Sequence, residues 1–85
     1  MIREQVKIMN NKINGNYTWE KRAVEDVYGN KYRYIQISKT GTRYWAMNTS
    51  EDINKTWIIK DGTEFIKRVD GIDNALAELE LLQEG

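Results

Sequence analysis

Turn pairs that contain glycine divide most of this chain into short stretches rich in β-branched and aromatic residues. Such pairs supply the positive φ angles of two-residue hairpin turns, and their spacing of about 10–20 residues favours antiparallel strands over βαβ units. The pairs are Asn14-Gly15, Gly29-Asn30, Thr40-Gly41 and Asp61-Gly62. The strands that they predict cover residues 5–13, 17–28, 31–38, 42–48, 55–60 and 63–69.

The C-terminal segment has a different pattern, with helix-forming residues and apolar positions three or four residues apart. One stripe of the predicted helix contains Ile72, Ala75, Leu76, Leu79 and Leu82. We therefore predict an α+β fold: an antiparallel β-sheet, or a small partly closed barrel, of five to six strands in a meander, with one C-terminal helix packed on it. The sheet would cover about residues 5–69 and the helix about residues 71–84. We expect the 85 residues to form a single domain with a modest core.

The composition removes several kinds of chemistry. The chain contains no Cys, His or Pro, which excludes a disulfide framework, a zinc finger, a thiolate nucleophile and an imidazole base. The carboxylate pairs Glu25-Asp26 and Glu51-Asp52 lie next to each other in sequence, and neighbouring residues on a strand point to opposite faces. We therefore expect no enzyme, no cofactor and no metal site.

Neither a membrane span nor a signal peptide is predicted. The longest apolar run covers residues 44–47, whereas a membrane helix needs about 20 apolar residues. The first residues are charged and lack the apolar run of a signal peptide. We expect a cytoplasmic protein with no membrane partner. The abundance of Ile, Asn and Lys is typical of AT-rich genes and indicates a low-GC bacterium or its phage.

The net charge of zero conceals two oppositely charged parts. Residues 1–69 carry all 13 basic side chains and a net charge of +5, whereas residues 70–85 carry no basic side chain and a net charge of −5. The favoured interpretation is that the acidic helix packs on its own basic sheet, so that the charges screen each other. The alternative is that the acidic helix imitates nucleic-acid phosphate or docks a basic partner.

One leucine of the predicted helix lies outside the apolar stripe. Leu81 is about opposite Ile72 on the helical wheel and next to Ala77. A single exposed leucine is common and needs no functional explanation. The alternative is a contact with a second copy or another protein through Ala77 and Leu81.

A second candidate surface combines aromatic and basic residues. Strand alternation places Ile35 and Ile37 on one face of the third predicted strand and Tyr32 and Tyr34 on the other. Since both faces of the predicted sheet carry apolar residues, the favoured interpretation is a closed or doubly covered sheet. The alternative is an exposed face that binds a ligand. Its candidate residues are Tyr32, Arg33, Tyr34, Arg43 and Tyr44.

These observations rank two functions. The first is a small cytosolic module that binds a protein partner stoichiometrically or forms a homodimer, as a phage or mobile-element regulator or inhibitor would. The second is a single-stranded nucleic-acid-binding domain that uses the aromatic and basic face, because aromatic rings stack on bases and cations neutralise phosphates.

Overall fold

The computed structural model describes residues 2–13 and 15–83. They form an open five-stranded sheet and two helices. In chain order the elements are α1 (Ile2–Lys12), β1 (Tyr17–Glu25), β2 (Lys31–Lys39), β3 (Tyr44–Asn48), β4 (Thr56–Asp61), β5 (Glu64–Asp70) and α2 (Ile72–Leu81). Each strand pairs antiparallel with the next, in the order β1-β2-β3-β4-β5. The predicted α+β fold and meander are confirmed, and the sheet is not closed into a barrel.

The first element corrects the prediction, because the proposed strand at residues 5–13 is a helix. Val6, Met9 and Ile13 recur at intervals of three and four residues, which is the period of a helix. Met9 is buried against the sheet, with Val6 and Ile13 half-buried. Gly15 therefore follows a helix and precedes β1 instead of closing a hairpin, while Asn14 lies outside the described residues.

Both helices pack on the same face of the sheet, called the helix face below. Helix α1 is hydrogen-bonded to this face. The indole N–H of Trp19, on β1, donates to the side-chain oxygen of Asn10, on α1, at 3.1 Å. Helix α2 packs across β3, β4 and β5. The side chains buried on this side form the core: Met9, Tyr17, Ile35, Ile37, Tyr44, Ala46, Ile53, Trp57, Ile59, Ile72, Ala75 and Leu79. Neither α1 nor α2 is long and apolar enough to cross a membrane.

The C-terminal helix presents the predicted stripe to this core. Ile72, Ala75 and Leu79 are buried, and Leu76 and Leu82 are half-buried against the same cluster. The helix ends at Leu81 rather than at the predicted residue 84, which lies outside the described residues.

Lys39 of β2 binds the end of α2. The last carbonyl groups of a helix lack partners within it, and the last turn of α2 contains no basic residue. The Lys39 ammonium donates to the carbonyl oxygens of Leu79, Glu80 and Leu82 at 2.9, 3.3 and 2.6 Å. A cation supplied by the sheet therefore satisfies the negative end of the helix.

Other contacts link the acidic side chains of α2 to the rest of the chain. Asp73 pairs with Lys12 at 2.6 Å, and Glu78 pairs with Lys67 at 3.1 Å. Glu80 accepts a hydrogen bond from the hydroxyl of Tyr17. These contacts favour the interpretation that the acidic helix is neutralised by its own fold.

Candidate functional site

The sheet face opposite the helices is covered by no element among the described residues, and we call it the open face. Alternation along the strands shows which side chains lie on the open face. Ile37 and Ile59 point to the helix face, so their neighbours along the strands point to the open face. Antiparallel sheets with one solvated face usually carry polar residues there. Here the open face is mixed. It contains the aromatic, apolar and basic residues Tyr32, Tyr34, Trp45, Met47, Ile58, Lys60, Phe65 and Arg68, and also Thr18, Glu20, Arg22, Val24, Gln36, Ser38, Thr56 and Asp70.

The sequence left two interpretations of the apolar residues on this face: a closed or doubly covered sheet, or a face exposed to solvent. The exposure of the side chains decides between them. Phe65 is 60% exposed and Tyr32 is 46% exposed, while Trp45, Met47 and Ile58 are half-buried. A groove of about 380 Å³ runs along the face beside Trp45. The second face of the sheet is therefore not a second core.

Three aromatic groups on the open face have defined neighbours. The rings of Tyr32 and Tyr34 stack with centroids 6.2 Å apart. The Lys60 ammonium lies 5.1 Å from the centroid of the Trp45 ring. The Trp45 indole N–H donates at 2.6 Å to a turn carbonyl, which holds the ring in place.

Two cations of the open face have no acidic partner among the residues that the structure describes. The Arg68 guanidinium lies 5.9 Å from the centroid of the Phe65 ring. Within the described part of the chain, neither Arg68 nor Lys60 forms an ion pair. Arg22, by contrast, bonds Glu20 at 2.9 Å, and that bond raises the pKa of the guanidinium. Lys60 and Arg68 can therefore bind an anionic group of a ligand.

The predicted candidate residues do not all share this face. Tyr32 and Tyr34 belong to it, although Tyr34 is only 9% exposed. Tyr44 is a correction: it points to the helix face, is 8% exposed, and its hydroxyl lies 3.4 Å from the carbonyl oxygen of Gln83. Arg33 is exposed on the helix-face side of β2, opposite Ala23.

Arg43 and the candidate pair on α2 also lie apart from the open face. Arg43, which precedes β3, binds Asp61 and stands 5.7 Å from the centroid of the Tyr44 ring. Ala77 and Leu81 are exposed on the outer side of α2, with Leu81 76% exposed. The predicted exposure of Leu81 is confirmed, whereas its contact with a partner stays a prediction.

Six aromatic, apolar or basic residues of the open face are absent from the predicted candidates: Trp45, Met47, Ile58, Lys60, Phe65 and Arg68, the last opposite Ile58. Trp45, Met47 and Ile58 alternate with buried residues of β3 and β4, so alternation alone places them together once the covered face is known. Phe65 and Lys60 are paired across β4 and β5, next to a shift in register. That irregularity lies in the strand pairing and has no local sequence signal.

The β1–β2 hairpin extends beyond the rest of the sheet. Strand β2 pairs with β1 from Lys31 to Lys39 but with β3 only from Ile35 to Ser38. Residues 22–34 therefore form a two-stranded projection, which we call the arm. Its residues are exposed, apart from Val24 and Tyr34.

The tip of the arm holds two apolar residues in a structured turn. Val27 is 93% exposed and Tyr28 is 86% exposed. One carboxylate oxygen of Asp26 accepts hydrogen bonds from the backbone N–H groups of Asn30 at 3.0 Å and Tyr28 at 2.9 Å. These bonds lower the pKa of Asp26, and the bond from the Asn30 backbone contributes most to that change. Gly29 adopts a φ of 84°, a conformation that favours glycine.

The depressions of about 310–380 Å³ among the described residues are open to solvent, and the more enclosed cavity is small. The cavity between α1 and the sheet, beside Met9 and Trp19, measures about 30 Å³, which accommodates about one water molecule. Among residues 2–13 and 15–83, no group of three acidic side chains could hold a metal ion. Comparisons with protein-family models, with curated protein sequences and with solved structures find no match for this chain.

Proposed function

We propose that this chain is a small protein-binding module that acts by stoichiometric binding, as a regulator or inhibitor does, and that its partner docks on the open face. The observation that carries the proposal is the set of aromatic and apolar side chains that the open face presents to solvent, with Tyr32 and Phe65 the most exposed. Contiguous apolar patches on soluble proteins often mark interaction sites. Aromatic side chains and Arg are also the residues that contribute most to binding at protein interfaces.

The charges of the open face indicate the chemistry of the partner. Lys60 and Arg68 lack acidic partners among the described residues, while the carboxylates on that side, Glu20 and Asp70, already bond Arg22 and Thr56. A second copy docked face to face would bring the cations of both copies into one interface, where the described carboxylates of the face are already bonded. A protein segment with apolar side chains and carboxylates complements the face in both respects.

Affinity capture tests the proposal when it is combined with a matched variant. The tagged full chain and its Tyr32→Ser, Phe65→Ser variant are used to capture proteins from the native host. Both replaced side chains are exposed, so we expect the variant to keep the wild-type circular dichroism and thermal midpoint. A protein retained by the wild type should be lost by the variant. Titration calorimetry with that purified protein should give a stoichiometry of one.

A Leu81→Ser variant serves as the control because Leu81 is exposed on the other side of the molecule. It should capture the same protein as the wild type. The proposal is contradicted if the wild type retains no specific protein, or if the open-face variant retains the same one. Loss of capture by Leu81→Ser alone would transfer the docking site to α2.

The pairing of cations with aromatic rings supports a second candidate, single-stranded nucleic-acid binding. Lys60 beside Trp45 and Arg68 beside Phe65 combine the two groups that such binding uses. Fluorescence anisotropy with labelled single-stranded DNA and RNA tests it. Affinity should fall steeply with salt, and Phe65→Ala should cost about 1–3 kcal/mol of binding. Absence of binding at low salt would remove this candidate.

Protein binding remains the first candidate because, among the described residues, the open face has few cations without an acidic partner. Nucleic-acid affinity comes largely from cations that neutralise phosphates and release counterions. The open face has only Lys60 and Arg68 for that purpose among the described residues, since Arg22 is held by Glu20.

A further inference from the structure

The tip of the arm is the most exposed apolar feature among the described residues. Val27 and Tyr28 project almost completely into solvent, although burial of large apolar side chains is what stabilises a fold. They do not contribute to the core, and the fold has no need of apolar side chains at this turn. Their exposure therefore points to an external contact.

The turn also holds these side chains in one arrangement. The Asp26 carboxylate binds two backbone N–H groups and the Asn30 side-chain amide, the last at 3.2 Å. The Asp26 N–H in turn donates to the Asn30 carbonyl at 2.9 Å, which closes the hairpin. A contact that is ordered before binding loses less conformational entropy when it binds.

We propose that the arm is an insertion element, whose tip enters an apolar pocket on the protein that docks on the open face. This inference rests on the proposed function. The tip is convex, so its complement is concave. The arm and the open face share Tyr32 and Tyr34, which makes them one continuous surface. The unsupported part of the arm has four residue pairs and reaches roughly 13 Å beyond the sheet.

The structure favours a protein pocket over the two other occupants. Among the described residues, the surface depressions of about 310–380 Å³ that a second copy offers are lined largely by polar and charged side chains. The cavity beside Met9, of about 30 Å³, is too small for a tyrosine ring. A membrane surface is disfavoured because residues 22–34 contain two acidic side chains beside three basic ones, whereas interfacial anchors are rich in Lys and Arg.

Photocrosslinking in the full chain tests the inference. Tyr28 is replaced by the photoreactive residue p-benzoylphenylalanine in one chain, and Tyr32 and Leu81 are replaced in two others. Each chain is irradiated in lysate of the native host, and the crosslinked peptides are identified by mass spectrometry. The crosslinked protein is then purified, and its affinity is measured for a Val27→Ser, Tyr28→Ser variant and for a Lys31→Ser control on the same arm.

Support requires two results together. The probes at Tyr28 and Tyr32 should crosslink to the same protein, with Tyr28 attached to apolar pocket residues. The tip variant should bind that protein at least about tenfold more weakly, while Lys31→Ser keeps the wild-type affinity. Because the replaced tip side chains are exposed, all variants should retain the wild-type thermal midpoint.

Three results would overturn the inference. If Tyr32 crosslinks to a protein whose affinity the tip variant leaves unchanged, the arm is not an insertion element but the proposed function stands. If neither Tyr28 nor Tyr32 crosslinks to a protein, both proposals fail. If the wild-type chain sediments with vesicles of phosphatidylcholine and phosphatidylglycerol and the tip variant does not, the tip binds lipid instead of a protein pocket.

Discussion

Replacing Lys39 with Met should destabilise the fold by detaching the end of α2 from the sheet. The Lys39 ammonium is the donor to three carbonyl oxygens at that end, the shortest contact being 2.6 Å to Leu82. Methionine has a similar length and an unbranched chain, so Lys39→Met keeps most of the packing while removing the charge and the donors.

The magnitude follows from two contributions. A hydrogen bond to a charged group stabilises by about 1.5–3 kcal/mol net. A cation at a helix C-terminus adds about 0.3–1 kcal/mol. Since one ammonium serves all three carbonyl groups, we count the hydrogen-bond contribution once and expect a loss of about 2–4 kcal/mol. For a domain of this size, a loss of that order lowers the thermal midpoint by about 8–30 °C.

Urea unfolding followed by tryptophan fluorescence and circular dichroism measures the loss. Lys55→Met is the matched control, because the Lys55 side chain is exposed and has no hydrogen bond or ion pair to a described residue. We expect the control to change the free energy of unfolding by less than about 0.5 kcal/mol. Equal destabilisation by Lys39→Met and Lys55→Met would refute the reasoning.

Three further predictions concern buried and hydrogen-bonded groups. Trp57→Phe removes a fully buried indole N–H that donates to a loop carbonyl at 3.0 Å, and urea unfolding should show a loss of about 1–3 kcal/mol. Burial, aided by the hydrogen bond to Glu80, raises the pKa of Tyr17 from 10.0 to about 12. Because folding favours the neutral phenol, stability should fall as the pH rises from 10.0 through about 12, and Tyr17→Phe should reduce this fall. Hydrogen bonds to the Asp26 carboxylate, of which that from the Asn30 backbone N–H contributes most, lower its pKa below 3.8. The turn should therefore stay ordered at that pH and loosen below it, and Asp26→Ala should accelerate exchange of the Asn30 amide at neutral pH in NMR measurements.

The sheet could be predicted because its determinants are local. Gly41 and Gly62 adopt φ angles of 78° and 59° in two of the predicted turns, which the missing Cβ of glycine allows. Between the turns, alternation of side chains specifies which residues share a face. Helix α2 could be predicted for the same reason, because the spacing of Ile72, Ala75 and Leu79 is a local property.

Helix α1 shows where local patterns become ambiguous. The Asn14-Gly15 pair matches a hairpin turn, and the preceding segment contains β-branched residues that also suit a strand. The spacing of Val6, Met9 and Ile13 matched a helix equally well. Short apolar patterns often allow both structures, and the packing of Met9 against the core decides between them.

The candidate site depended on the tertiary structure to a greater degree. Alternation separates Tyr44 from Trp45 but does not say which of the two is covered. That choice follows from the packing of α1 and α2 on one face of the sheet, which buries Tyr44 and leaves Trp45 on the open face. The length of the arm likewise depends on where β3 stops pairing with β2.

The sequence by itself determined an antiparallel meander, a helix with one apolar stripe, and a chain divided into a basic part and an acidic part. Turn geometry, side-chain periodicity and composition specify these properties locally. Only the tertiary structure decided that Lys39 binds the end of α2 while Lys60 and Arg68 remain on the open face without acidic partners among the described residues. The physical reason is that a contact such as that of Lys39 with α2 joins residues far apart in sequence. The packing of the helices on the sheet determines which charged groups meet and which do not.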